Sequence, residues 1–359
     1  MPPVPRSPVR LAVLDDYQGV ALKHFESLKP TVEITTFPDT LLPYDGPLTP
    51  EDVKSQLVER LKPFTIISSM RERTPFPASL LEELPNLKLL LNSGNRNKGI
   101  DMEAAKKHGI SVTGTSVKSK RGPDSTTQHA VALILGIARN ISRDDKVVKE
   151  GGWQTTFATG LAGKTLGTLG LGKLGTSVAK IMYSAFGMKI IAWSSSLTQE
   201  AADQKARDCG FATEDEDGEK VFKVVSKEEL FSTSDVVSVH LALGDRSKGI
   251  VGEKDLDLMK KSALFVNTSR GPLVQQDALL DALQKGKIRG AALDVFDLEP
   301  LPADSQWRSI KWGEKGRSQV LLSPHMGYVE EEKMNDWYQQ QAENVQRWLE
   351  GKDLMDILV

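Results

Sequence analysis

Apolar residues in this chain come in short, nearly unbroken runs, separated by longer stretches in which they recur every three to four residues. The runs at residues 10–14, 65–69, 87–91, 165–169, 189–193, 235–241, 263–268, 290–295 and 319–322 read as β-strands. They are continuous instead of alternating, the pattern of parallel strands buried on both faces. Helical stretches lie between them, such as residues 173–185, where Leu174, Val178, Ile181, Met182 and Ala185 share one face. Repeated alternation of strand and helix predicts doubly wound α/β architecture.

The alternation falls into two series, separated by a long helix predicted over residues 124–143. Before that helix stands Lys118-Ser119-Lys120-Arg121-Gly122-Pro123, a basic breaker segment that reads as a surface loop or hinge. After it, Gly151-Gly152 opens the loop into the second series. A last helix over residues 329–349 follows the final strand, placed to return to the first series. The acidic run Glu214-Asp215-Glu216-Asp217-Gly218-Glu219-Lys220 reads as solvated loop.

Composition narrows the class. At 359 residues, 39% of them hydrophobic, the chain has material for about two ordinary domains. A net charge of −2 offers no field to collect nucleic acid or an anionic membrane, and neither is expected as a partner. The single cysteine, Cys209, forbids an internal disulfide framework and suits a reducing, cytoplasmic setting. The longest uncharged apolar window, residues 130–138, is well short of the about 18 residues of a membrane span.

Candidate chemistry begins at Gly170-Leu171-Gly172-Lys173-Leu174-Gly175, which ends one strand and opens a helix. The first glycine permits the tight turn, the second lets a pyrophosphate approach the backbone, and the third lets helix pack on strand. The helix N-terminus adds N–H donors and partial positive charge. Strand, turn and helix in this order predict a dinucleotide site, with Lys173 placed to add charge. About 20 residues further on, where an acidic residue would read the ribose, stand Ser194 and Ser195. Neither a repelling carboxylate nor a phosphate-binding arginine is present, so NAD and NADP both stay open.

Reduction of a carbonyl needs a proton donor, a grip on the substrate carboxylate and polarisation of the carbonyl. Of the five histidines, His24 and His108 read as surface groups and His129 as a packing or hinge residue. His240 ends a strand, where a structural role and a peripheral cofactor role are both open. His325 follows a strand through Ser323-Pro324 and sits where α/β sheets place ligands. Arg270 ends another strand, and Asp294 and Glu299 follow a third. An arginine fork grips a carboxylate at two points, and a glutamate beside a histidine favours the imidazolium that donates a proton. Three matched groups at three successive strand ends are the candidate reaction centre. No metal is expected.

These residues resemble the D-isomer-specific 2-hydroxyacid dehydrogenase family. The likeness runs through Leu166-Gly167-Thr168-Leu169-Gly170-Leu171-Gly172-Lys173-Leu174-Gly175, Val266-Asn267-Thr268-Ser269-Arg270-Gly271-Pro272 and Ala292-Leu293-Asp294-Val295-Phe296. It continues through Glu299-Pro300-Leu301-Pro302 and Ser323-Pro324-His325, with Leu84-Pro85-Asn86-Leu87-Lys88 and Gly99-Ile100-Asp101 in the first series. A subgroup carrying Met70-Arg71-Glu72-Arg73-Thr74-Pro75, Arg96-Asn97 and His325-Met326-Gly327-Tyr328 is the nearest match.

The resemblance implies two parallel-sheet domains. A Rossmann cofactor domain, residues 125–328, is inserted into a flavodoxin-like substrate domain formed by residues 1–124 and 329–359. It implies His325 as acid/base, Glu299 as its partner and Arg270 as substrate anchor. Backbone N–H groups near Gly94 and Asn95 would hold the substrate carboxylate, with Arg96 close by. Gly170, Gly172, Lys173, Leu174, Gly175, Ser194, Ser195, His240, Thr268 and Asp294 would line the cofactor, Asp294 orienting the nicotinamide carboxamide. The partners implied are NAD or NADP, NAD slightly favoured, a small 2-keto or 2-hydroxy acid, and a second copy in a homodimer. The chain departs from the family at Ser194, where an acid is usual, at Gln128, where glutamate is common, and at Ala242, where proline is usual. The competing reading is a non-catalytic dinucleotide-sensing corepressor of the same fold, which can keep the same three groups.

Overall fold

The computed structural model describes residues 9–47, 49–116 and 122–359. The backbone divides into two compact units, Met1–Lys120 with Glu330–Val359, and Arg121–Val329. Residues 118–121 of the expected hinge lie outside the described residues.

The first unit holds five strands, β1 (Val9–Leu14), β2 (Val32–Phe37), β3 (Ile66–Ser69), β4 (Leu89–Asn92) and β5 (Ser111–Thr113). All pair in parallel, in the order β2-β1-β3-β4-β5. Leu11, Ile66, Ile67, Leu89 and Leu90 are fully buried, as continuous apolar strands covered on both faces require. The helix Glu331–Leu349 belongs to this unit and buries Trp337, Tyr338 and Gln341. Gln341 accepts a hydrogen bond from Ser68 Oγ at 2.6 Å, tying that helix to β3.

The second unit holds β6 (Thr165–Leu169), β7 (Lys189–Trp193), β8 (Phe222–Val224), β9 (Val236–Val239), β10 (Leu264–Asn267), β11 (Gly290–Leu293) and β12 (Gln319–Leu322). They form one parallel sheet in the order β12-β11-β10-β9-β6-β7-β8. The chain changes direction across the sheet between β6 and β9, and a doubly wound sheet opens a crevice at the carboxyl ends of such strands. The expected architecture, two doubly wound parallel sheets, is the one observed.

Three strands were not legible in the hydrophobic pattern. β2, β5 and β8 all lie at sheet edges, and β5 and β8 span three residues each. An edge strand buries less side chain; of the six residues of β2, only Val32 is buried. The expected helix over residues 124–143 is two helices, Ser125–Ala138 and Ile141–Lys149. They break at Asn140, whose φ of +57° is left-handed. Asparagine tolerates that conformation, and its Nδ2 donates to Thr156 Oγ1 at 3.3 Å and to the Phe157 carbonyl at 3.2 Å.

Candidate active site

The glycine turn leaves β6 and enters the helix Lys173–Phe186. Gly170 has φ +97°, a conformation that glycine adopts without strain. A Cβ on Gly175 would lie 2.1 Å from the Gly170 carbonyl oxygen, so only glycine lets the helix pack this closely on the turn. A Cβ on Gly172 would meet nothing within 4 Å. Gly172 is also the helix N-cap, and no side chain caps this helix. The helices Ser125–Ala138, Gln199–Asp208 and Lys227–Thr233 are capped by Asp124, Thr198 and Ser226. The turn therefore presents uncapped N–H groups of the first helical turn beside open space at Gly172, a cradle that fits a pyrophosphate.

His240 lies behind this turn. A Cβ on Gly170 would come 3.0 Å from the His240 carbonyl, and one on Gly175 would come 3.2 Å from His240 Cβ. Its Nε2 is 2.9 Å from Ser238 Oγ. Desolvation of the ring pushes its pKa down to about 4, so at neutral pH the imidazole is uncharged. At the end of β7, Ser194 is partly exposed and Ser195 exposed. Lys227, 5.9 Å over the ring of Trp193, is committed to Asp255 at 2.8 Å.

Arg270 follows β10 in a loop shaped by Asn267, which donates to the Arg270 carbonyl at 3.0 Å and accepts from Ser269 N–H at 3.0 Å. One Arg270 guanidinium nitrogen donates to the Ser269 carbonyl at 2.7 Å. A Cβ on Gly271 would lie 2.1 Å from the Phe296 carbonyl carbon. Glycine at that position brings the Arg270 loop against the segment leading to Glu299. Glu299 accepts the Phe296 N–H at 2.9 Å through Oε1, and its Oε2 lies 2.5 Å from His325 Nδ1. Because an ionised carboxylate only accepts, Nδ1 carries the proton in this bond, and Nε2 is the nitrogen left to exchange one with a substrate. Tyr328 packs edge-on against the imidazole with centroids 5.5 Å apart.

His325 has φ +53°, unusual for a residue with a side chain. Its loop is held by Asp294. The Asp294 carbonyl accepts His325 N–H at 2.8 Å, Oδ1 accepts Met326 N–H at 2.8 Å and Oδ2 accepts Gly327 N–H at 3.0 Å. Burial opposes ionisation of Asp294, but hydrogen bonds from His129, Ser323 and Met326 outweigh it and hold the carboxyl below the usual carboxylate range. Asp294, expected to orient the nicotinamide carboxamide, is 1% exposed and faces these donors. Thr268 is buried at the end of β10.

In the first unit Gly94 has φ +92° and follows β4. Its N–H already donates to Thr115 Oγ1 at 2.6 Å, whereas Asn95 and Arg96 are exposed. Two residues acquire weight only from the structure. Arg71, with φ +53°, lays its guanidinium against Gly94, where a Cβ would meet Nη1 at 2.2 Å. Its only signal in the sequence was its place in the Met70–Pro75 motif. His129, expected to be a packing or hinge residue, reaches Asp294 Oδ1 at 3.1 Å and Ser323 Oγ at 3.0 Å.

Among the described residues, no helix is long and apolar enough to cross a membrane. The profile of the D-isomer specific 2-hydroxyacid dehydrogenase NAD binding domain matches residues 131–327. A glyoxylate reductase from Aeropyrum pernix is 36% identical over 282 residues, covering 76% of this chain and 76% of that protein. A glycerate dehydrogenase from Methylorubrum extorquens is 31% identical over 335 residues, 91% of this chain and 95% of that one. A solved structure of a phosphoglycerate oxidoreductase from Vibrio cholerae superimposes with a TM-score of 0.77 at 34% identity, over 96% of this chain and 99% of that one. The dinucleotide cradle, the arrangement of Arg270, Glu299 and His325 and these similarities lead to one conclusion: the chain belongs to the D-isomer-specific 2-hydroxyacid dehydrogenases, NAD(P)-dependent oxidoreductases that interconvert 2-keto and 2-hydroxy acids.

Proposed function

We propose that this enzyme reduces a short 2-keto acid of the glyoxylate or hydroxypyruvate type, with His325 as the proton donor. The observation that carries this reading is the His325–Glu299 pair at 2.5 Å, at the carboxyl ends of the sheet that also bears the glycine turn. When bound, the nicotinamide would supply the hydride for the carbonyl carbon. His325 Nε2 gives a proton to the carbonyl oxygen, and Glu299 holds Nδ1 so that Nε2 keeps its orientation. Arg270 grips the substrate carboxylate and polarises the adjacent carbonyl. Gly94, Asn95 and Arg96 of the first unit are assigned to the substrate carboxylate; Asn95 and Arg96 are exposed and offer donors, while Gly94 N–H is engaged with Thr115. Gly170, Gly172, Lys173, Leu174 and Gly175 receive the pyrophosphate, and Ser194 and Ser195 the ribose. His240 and Thr268 support that site from the strand ends.

The test is turnover of NADH and NADPH with glyoxylate, hydroxypyruvate, pyruvate and longer 2-keto acids. Preference for the two- and three-carbon acids is the expected result, and no turnover of any of them would overturn the reading. Neither cofactor should dominate, since the ribose loop carries no acid and Lys227 is held by Asp255. Ser194→Asp should suppress NADPH use by like-charge repulsion and leave NADH use intact.

The enzyme acts as a cytoplasmic homodimer in this reading. Ile141, Val148, Trp153 and Phe157 are 61%, 55%, 73% and 91% exposed within one short segment. Asn140 and Arg289 both hold the Phe157 carbonyl, so the ring is kept in solvent by a fixed backbone. Exposed aromatic anchors on a rigid support suit a protein interface, and the self-complementary case is a second copy. Light scattering on the wild type and on Trp153→Asp with Phe157→Asp checks it: dimer in the first and monomer in the second.

A further inference from the structure

The proton donor's loop is fastened from a helix that carries none of the groups assigned so far. The helix Ser125–Ala138 begins at Asp124, whose side chain accepts Thr127 N–H at 2.9 Å, and His129 lies within its first turns. His129 Nε2 is 3.1 Å from Asp294 Oδ1 and 3.0 Å from Ser323 Oγ. The Asp294 carboxylate can only accept, so Nε2 carries the proton toward it. Asp294 in turn receives the N–H groups of His325, Met326 and Gly327, three consecutive residues, on its carbonyl, Oδ1 and Oδ2. Ser323 lies two residues before His325, so the His129 contacts reach both sides of the loop. Gly327 completes the fit: a Cβ there would lie 3.3 Å from Asp294 Oδ2 and 3.4 Å from Thr126 Cγ2, on the same helix as His129.

We propose that His129 is a positioning residue for proton transfer, clamping the His325 loop through Asp294 and Ser323 so that the imidazole meets Glu299. Asp294 then serves the reaction through the backbone it holds. The inference rests on His325 being the proton donor. An apolar residue in place of His129 leaves the Asp294 carboxylate with one donor fewer and Ser323 with one partner fewer. The loop then samples other conformations, and the left-handed backbone at His325 is the first geometry lost. Glutamine at the same position can present an amide N–H at similar reach.

The experiment compares His129→Leu, His129→Gln and Ser323→Ala with the wild type. It measures kcat and KM for glyoxylate, NADH affinity by fluorescence, and the rate at which diethyl pyrocarbonate modifies His325, followed by mass spectrometry. His129→Leu should lower kcat by about tenfold or more, since small misplacements of a reacting group are costly. KM and NADH affinity should stay within about threefold, because ground-state binding is untouched. His325 modification should accelerate, and His129→Gln should recover most of the lost kcat and the slow modification. A purely structural histidine would not give this split or this rescue. The proposal is overturned if His129→Leu keeps wild-type kcat, if glutamine is no better than leucine, or if the loss lies in NADH binding. Should the leucine variant not fold, Ser323→Ala decides: reduced kcat with unchanged NADH affinity supports the clamp, and unchanged kcat overturns it. If the wild type reduces no 2-keto acid, the functional reading fails and the modification rates alone decide. Equal His325 modification in wild type and variants then rules the clamp out.

Discussion

Two loops leave the carboxyl ends of the seven-stranded sheet through left-handed backbone, at Gly170 with φ +97° and at His325 with φ +53°. They solve the same geometric problem in opposite ways. The glycine turn removes side chains so that backbone N–H groups can face a ligand, and it is held by close packing against the His240 backbone. The His325 loop must keep a side chain, because an imidazole is the working part. Left-handed backbone then costs roughly 1–2 kcal/mol, which backbone hydrogen bonds to buried Asp294 offset. Both loops lean on distant segments, but the turn needs only backbone to pack against, whereas the reactive side chain on strained backbone needs the hydrogen-bonding side chain of Asp294.

Substitutions at each loop sharpen this contrast. The largest effect is expected for His325→Gln, which should lower kcat by about 10²–10⁴-fold while NADH affinity stays near wild type. Steady-state kinetics with fluorescence titration measures both, and a near-normal kcat would return the proton-donor role to another group. Gly175→Ala should damage fold and cofactor site together. Its Cβ would press on the Gly170 carbonyl at 2.1 Å, and overpacking of that kind costs about 1–3 kcal/mol. Thermal melts should show the loss without cofactor, and NADH should bind weakly.

Gly172→Ala separates the two functions of the glycine turn. With nothing within 4 Å of a Cβ and extended backbone at φ −74°, alanine fits the free protein. The melting temperature should hold while NADH affinity falls, because the new methyl stands where the pyrophosphate approaches. Equal affinity in this variant would remove the pyrophosphate from that face.

A smaller effect is expected from His240, which the turn covers. Its folded pKa of about 4 lies below the ordinary value of 6.5, so between these values the unfolded chain binds a proton that the folded protein refuses. The stability it contributes is complete above pH 6.5 and drains as pH falls toward 4, at no more than ~1.4 kcal/mol per pH unit. Urea unfolding at pH 7 and pH 5 should show a gentler decline for His240→Gln than for wild type. Parallel declines would mean that the ring stays hydrated in the folded protein.

Central strands and the glycine turn were legible because their signals are local. β6 and β7 begin and end where continuous apolar runs do, and so does β12, an edge strand that keeps the unbroken run Val320-Leu321-Leu322. β2, β5 and β8 were not legible, since β2 mixes Glu33, Thr35 and Thr36 among its apolar residues and β5 and β8 span only three residues each. The break at Asn140 escaped for a related reason: the apolar period carries on past it, and only hydrogen bonds to Thr156 and the Phe157 carbonyl turn the chain there. Arg270, Glu299 and His325 could be picked out by chemistry at strand ends, yet their roles rested on a sheet order that strand positions alone do not specify.

By itself the sequence determined the parallel α/β class, the dinucleotide turn and the residue types of the reaction centre, because strand burial, turn chemistry and proton-transfer chemistry each depend on a few adjacent residues. Tertiary structure decided which segments meet: the Arg270 loop against the Phe296 backbone, Glu299 on His325, Arg71 over Gly94, and His129 with Ser323 on Asp294. Residues 129, 294 and 323 are far apart in the chain and individually ordinary. Their hydrogen bonds exist only once the helix Ser125–Ala138, β11 and β12 have packed together, since a buried carboxylate acquires its donors from whatever the fold brings within about 3 Å.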